Sequence, residues 1–258
     1  MKKTNAIEHI VIIFKENHAF DNYFGTFPGA NGATNLQHAS DPPLSDHPHN
    51  HKAWVNRNNK PVKEQYHESD IPDYFALAKQ FTLCDNYFTD VAGPSTPNHL
   101  MVITGDSPII DNPHPKDLNQ PQPPYDIPSL PKQLENAGLT WKSYGSYAHQ
   151  YIKELVKSPN NVASSKFALD AEAGKLPNVS WVYGAKGSSE HPVESVAFGE
   201  KWTMDQIRSI VKGGLWDTTA IFITWDDWGG WYDHVVPPEI EKWTDGTQFR
   251  NELKKLII

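Results

Sequence analysis

The chain has a single cysteine, Cys84, among 258 residues. An intramolecular disulfide and a cysteine-built metal site are therefore both excluded. No apolar run approaches the roughly 18 residues that a membrane-spanning helix needs. The opening stretch, MKKTNAIEHIVIIFKEN, carries only a short apolar run, interrupted by Glu8, His9 and Lys15. A signal peptide needs a longer one, so the chain as it stands reads as cytoplasmic. Positive charge is also short: 23 Lys and Arg face 31 Asp and Glu, a net charge of -8. That excludes a generic nucleic-acid binder, which would show a basic patch. A small anionic substrate is still compatible, because a bound cation inverts the local field.

What the chain does have is large aromatic side chains: 9 Trp, 10 Tyr and 11 Phe within a 38% hydrophobic composition. They supply core volume and exclude a wholly disordered chain. The length fits one domain, 1–258. Ile7 to Phe14 reads as a buried strand that ends in a polar loop, Lys15-Glu16-Asn17. Residues 28–67 read as a long irregular excursion holding five histidines: His38, His47, His49, His51 and His67. The spacing predicts a helix over 71–88, with Asp70 as N-cap and Pro72 in its first turn. A helix is also expected to open near Asn98. Residues 106–131 form a second irregular excursion, with eight prolines from Pro108 to Pro131.

Further helices are expected over 129–138 and 203–211, and strands over 139–144 and 178–183. Thr218 to Trp225 is the strongest strand. It is apolar on both faces, as in a parallel sheet covered by helices. Strands alternating with helices predict an α/β fold, a mostly parallel sheet sandwiched between helices.

Two of these strands run into oxygen-bearing residues: Glu16-Asn17 after the first, Asp226-Asp227 after the last. In a parallel sheet both lie on the carboxyl edge, where open α/β sheets bind ligands. Hard oxygen donors suit a divalent cation. Without one, adjacent carboxylates resist joint ionisation. The plainer alternative is a set of solvated loop acids. Gly229-Gly230 permits a tight turn, followed by Asp233-His234. Ser95 and Thr96 sit in GPSTPNH, before the expected helix. A hydroxyl there is either a plain N-cap or a nucleophile beside a helix N-terminus that favours anions. His191, in GSSEHPVES, is either a surface histidine or a general acid. A glycosidase reading fits poorly, since Asp226 and Asp227 are adjacent and such enzymes hold their carboxyls roughly 5 to 9.5 Å apart across the scissile bond.

Three blocks are more specific than any single residue: KENHAFDNYFGTFPGANG, AGPSTPNHLMVITG and ITWDDWGGWYDHVVPP. In this order they resemble the phosphoesterase family of non-specific phospholipases C and related acid phosphatases. The resemblance implies an alkaline phosphatase-like fold. It implies Glu16, Asn17, Asp226 and Asp227 as ligands of a divalent metal cation, and Ser95 as nucleophile with Thr96 as the alternative. It implies active-site roles for His191, His234 and His49. The activity implied is phosphoric ester hydrolysis through a phosphoserine, on a phospholipid or on a phosphomonoester. A truncated relative that binds metal and anion without turnover is the non-enzymatic alternative. Two departures stand out. His99 replaces the arginine that many relatives carry after Pro-Asn. The ending, FRNELKKLII, arrives soon after Pro-Pro, which implies a shortened C-terminus.

Overall fold

In the computed structural model, residues 6–57, 60–116 and 120–251 are described. The first apolar run forms β1 (His9–Lys15). There follow α1 (Phe20–Phe24), β2 (Gln37–His38), α2 (His51–Val55), β3 (Glu64–Gln65), α3 (Pro72–Gln80) and α4 (Ser95–Thr104). Next come α5 (Leu130–Asn136), β4 (Trp141–Tyr144), β5 (Asn161–Val162), α6 (Lys166–Glu172), β6 (Val179–Tyr183) and α7 (Val196–Lys212). The described part closes with β7 (Thr219–Trp225), β8 (Glu239–Lys242) and β9 (Gln248–Asn251).

The central sheet has five strands in the order β5-β4-β6-β1-β7, and every pairing in it is parallel. Alternation along β1 sorts side chains to two faces. Phe14 packs with Leu100 and Ile103 of α4 and with Trp141 and Trp181. Val11 and Ile13 pack on the other face with Phe167 of α6 and Ile207 and Ile210 of α7. Val11 and Ile13 are fully buried, which contributes roughly 1.5–3 kcal/mol for each such side chain. The result is the expected α/β architecture, a parallel sheet flanked by helices. Among the described residues no helix is long and apolar enough to cross a membrane.

Several expectations need correction. The helix over 71–88 stops at Gln80, because Phe81 turns extended at φ -125° and ψ -162°. Downstream, the Asp85 carboxylate accepts the Asn31 N–H, a tertiary contact. Asp70 is not an N-cap. Ile71 holds that position, and the Asp70 carboxylate instead accepts the His67 N–H. The helix expected at 203–211 begins earlier, at Val196, where the Ser195 hydroxyl accepts the Phe198 N–H. The 28–67 excursion is not wholly irregular, since it contains α2 and the short parallel pair β2–β3. Among its described residues the 106–131 stretch forms no strand of its own, and α5 starts at its end.

β7 is the largest departure from the pattern. Its composition predicts burial on both faces, yet it pairs only with β1 among the described residues. With one neighbour its side chains stay half-buried, and Phe222 is 50% exposed. After Pro238 the chain forms the antiparallel β8–β9 pair. Residues 252–258, most of the expected short ending, lie outside the described residues.

Candidate active site

Parallel register builds the site. β1 and β7 are neighbours, with Lys15 opposite Trp225. The next residue on each, Glu16 and Asp226, must therefore emerge side by side. The Asp226 N–H donates to the Lys15 carbonyl at 3.1 Å, extending the ladder by one step. Asn17 then bends to a left-handed φ of 57°. Its N–H donates to Asp226 Oδ1 at 2.8 Å. Asn tolerates this conformation better than most residues. The loop after β6 closes the third side, where the Glu16 N–H donates to the Ser189 carbonyl at 3.0 Å.

Ser95 arrives on the first turn of α4. Asn98 positions it: its side chain accepts the Val91 N–H at 2.8 Å and donates to the carbonyls of Val91, Gly93 and Pro94. The turn ahead of the helix is clamped by one residue inside it. The Ser95 hydroxyl reaches Asp227 Oδ2 at 3.1 Å and Asn17 Oδ1 at 3.2 Å. Thr96 points elsewhere, with its hydroxyl 3.2 Å from that of Tyr147. The geometry therefore sets Ser95, rather than Thr96, among the carboxylates.

Gly229 and Gly230 both have positive φ, 60° and 78°, as a tight turn after Asp227 requires. The Gly229 N–H donates to Asp227 Oδ1 at 2.7 Å. A Cβ on Gly229 would lie 1.9 Å from the Asn17 carbonyl oxygen. Gly229→Ala is therefore expected to lose more than the ~1 kcal/mol of an ordinary glycine replacement and to displace Asn17. A lowered melting temperature together with a fall in kcat checks this. Unchanged values for both would contradict the placement of Asn17.

The histidines divide. His49 Nδ1 donates to the His47 carbonyl at 2.6 Å. Its Nε2 then accepts from Asn17 Nδ2 at 3.2 Å and lies 4.0 Å from Asp227. The His191 ring centroid is 6.4 Å from that of His49, and its Nδ1 donates to the Pro192 carbonyl. His234 is held elsewhere: its Nδ1 lies 2.8 Å from Asp21 Oδ2 and its Nε2 3.1 Å from Asn31. No described hydrogen bond of His234 reaches Ser95 or the Glu16–Asp226 pair.

The sequence reading missed His99 as a site member and treated it only as a substitution. It is buried, with Nε2 3.4 Å from Asp226 Oδ2 and 3.7 Å from Glu16. One ligand atom from each of Glu16, His99 and Asp226 falls within a 4.8 Å span. The helical offset was the available signal, since His99 stands one turn after Ser95 and so shares its face.

Electrostatics explains why these groups sit together at a cost. Burial pushes the Glu16 carboxyl up, and the neighbouring Asp226 charge adds to it. Burial and Asp226 push Asp227 up further. Burial would raise Asp226 too, but the His99 imidazolium outweighs it and holds Asp226 below the usual value. Burial pulls His99 down, yet the two carboxylates carry it up to about 9. One imidazolium cannot balance three ionised carboxylates, two of them buried and Glu16 partly so. Apart from their mutual ion-pair contact at 3.4 Å, Asp226 Oδ2 and His99 Nε2 have no hydrogen bond among the described residues, and His99 Nδ1 has none. Buried polar atoms of this kind call for a ligand. Carboxylates, an amide oxygen, a hydroxyl and an imidazole are a donor set that fits a divalent cation.

Comparison with known proteins finds relatives named phospholipase C. The chain is 28% identical to phospholipase C B of Mycobacterium tuberculosis, an alignment covering 93% of this chain and 62% of the relative. It is 30% identical to the non-hemolytic phospholipase C of Pseudomonas aeruginosa, covering 90% of this chain and 43% of the relative. With the non-specific phospholipase C6 of Arabidopsis thaliana it shares 27% identity over 69% of this chain and 36% of the relative. The chain thus spans between a third and two thirds of the length of these relatives. A family model described as the phosphoesterase family matches residues 7–46 and 38–252, and the chain belongs to that family.

Proposed function

We propose that this chain hydrolyses phosphoric esters as a metal-dependent, phospholipase C-like phosphodiesterase, with Ser95 as nucleophile. One observation carries the reading: a buried hydroxyl on the first turn of a helix, 3.1 Å from Asp227 and 3.2 Å from Asn17. Glu16, Asn17, Asp226 and Asp227 would hold the cation, with His99 beside them. When bound, the cation supplies positive charge for the non-bridging phosphoryl oxygens and lowers the pKa of an adjacent hydroxyl.

The chain's own groups supply the rest. Asn17 and Asp227 fix the Ser95 hydroxyl, so that its oxygen faces phosphorus. The positive end of the α4 dipole favours the phosphoryl charge, although the Thr96 N–H is already donated to Asn112 and Pro97 has none. A bond forms from Ser95 Oγ to phosphorus as its proton passes to Asp227 Oδ2, 3.1 Å away, and the bond from phosphorus to the alcohol oxygen breaks. His191 gives that oxygen a proton. Water then hydrolyses the phosphoryl–Ser95 ester and frees the hydroxyl. His49, with its Nε2 lone pair toward Asn17, orients the amide that holds Ser95.

The relatives named phospholipase C support a lipid diester over a small monoester in this reading. Leu44, 89% exposed, and Val193, 54% exposed, stand on the loops that carry His49 and His191. Asp41 joins these loops by accepting the Ser195 hydroxyl at 2.8 Å and the Val196 N–H at 2.7 Å. These exposed apolar side chains are the ones this reading assigns to acyl-chain contact. The test is turnover of a chromogenic phosphocholine diester and a chromogenic phosphomonoester, each with and without a chelator. The expected result is diester turnover in excess of monoester turnover, abolished by the chelator and restored by divalent cation. Turnover indifferent to the chelator would overturn the metal assignment. A dominant monoesterase activity would overturn the diesterase assignment.

A further inference from the structure

Two histidines of the 28–67 segment play no part in the site above. His38 ends β2, and His67 follows β3 by two residues. The parallel register sets His38 against Gln65, which brings the two imidazoles together although 28 intervening residues separate them. The rings stack with centroids 4.8 Å apart and an interplanar angle of 16°. Asp70 completes the group, with its Oδ2 2.9 Å from His38 Nε2.

The backbone under these three residues is fixed. The Ala39 N–H donates to the Gln65 carbonyl at 2.9 Å. The buried Gln65 side chain accepts the Leu36 N–H at 2.9 Å and donates to the Ala33 carbonyl at 2.9 Å. On the other side the Asp70 N–H donates to the His67 carbonyl at 2.9 Å, and the His67 N–H returns to Asp70 Oδ2 at 2.7 Å.

We propose that His38, His67 and Asp70 form a surface site for an imidazole-preferring divalent ion, Zn2+ or Cu2+, distinct from the catalytic carboxylates. One ligand atom from each residue lies within a 4.8 Å span. Zinc sits about 2.0–2.2 Å from such ligands, so small side-chain rotations suffice to enclose it. Two imidazoles and a carboxylate select zinc or copper over calcium or magnesium, which prefer oxygen ligands. The His38 side chain is 56% exposed and that of Asp70 24%, which leaves water to complete the coordination. The ion would bridge the two ends of the segment that carries His49, adding a cross-link at residues 38 and 67.

The experiment compares the full chain with its His38→Ala/His67→Ala variant. Zn2+ stoichiometry is measured by equilibrium dialysis, and Cu2+ is bound for electron paramagnetic resonance. The parent is expected to bind one more Zn2+ than the variant and to gain more in melting temperature from Zn2+. Its Cu2+ spectrum is expected to show nitrogen coupling that the variant lacks. Equal stoichiometry and identical spectra would overturn the proposal. If the double variant does not fold, His67→Gln, checked by circular dichroism, carries the same comparison. Ester hydrolysis is expected to be the same in parent and variant, so failure here is separable from failure of the catalytic reading.

Discussion

Ser95→Ala is expected to lower the rate of phosphoester hydrolysis by at least about 10³-fold, as loss of a catalytic nucleophile does elsewhere. The substitution removes one oxygen that touches Asp227 and Asn17. Those two acceptors then lose a donor, which costs roughly 1–3 kcal/mol of stability. The fold should survive, because the clamp that shapes the turn belongs to Asn98. Thr96→Ala is the matched control. Its hydroxyl meets Tyr147, so the variant should keep most of the parental kcat. Parallel kcat and urea-denaturation measurements on both variants check the pair. Comparable losses in both, or a loss larger at Thr96, would reverse the assignment.

The second large effect lies behind the site, in a buried ion pair. Lys15 Nζ is 3.0 Å from Glu190 Oε1, and both side chains are fully buried. Lys15 also donates to the carbonyls of Ser188 at 2.7 Å and Gly199 at 3.3 Å. Tyr23 and Tyr74 donate their phenolic hydrogens to Glu190 at 2.7 and 2.6 Å. Burial pulls Lys15 down and pushes Glu190 up, and their mutual attraction opposes both shifts. Both charges in the network are paired and hydrogen-bonded, which is the condition under which such a pair is tolerated. Lys15→Met leaves the Glu190 carboxylate buried without its cation. The expected loss is about 3–5 kcal/mol, a large fraction of the 5–15 kcal/mol typical of a folded domain. Lys15→Met combined with Glu190→Gln should recover part of it. Urea denaturation of both variants measures the effect; equal stability of parent and Lys15→Met would contradict it. Activity should fall as well, because Glu190 adjoins His191 and holds a left-handed φ of 70°.

The division between legible and illegible features follows the range of the interactions. Continuous apolar runs marked β1 and β7, since a strand's composition is a local property. Motif blocks marked Glu16, Asn17, Ser95, Asp226 and Asp227. Local sequence did not tell that β7 would pair on one side only among the described residues, because that depends on which strands flank it. Nor did it reveal the Lys15–Glu190 pair. Lys15 read as the start of a solvated loop, and its partner lies 175 positions away in the chain. The helix expected over 71–88 forms only as far as Gln80 for the same reason, as Asp85 beyond it is engaged by Asn31. His99 stood in plain view beside Ser95. Its value as a neighbour of Glu16 and Asp226 appeared only once β1, β7 and α4 were placed together.

The most direct test of the catalytic account is to quench the chain in acid during turnover of a chromogenic phosphocholine diester and map the phosphorylated residue by mass spectrometry. The account predicts a phosphoryl group on Ser95, absent from the Ser95→Ala variant. A phosphoryl group found on Thr96 or on a histidine, or product released in a single turnover without any covalent adduct, would contradict it.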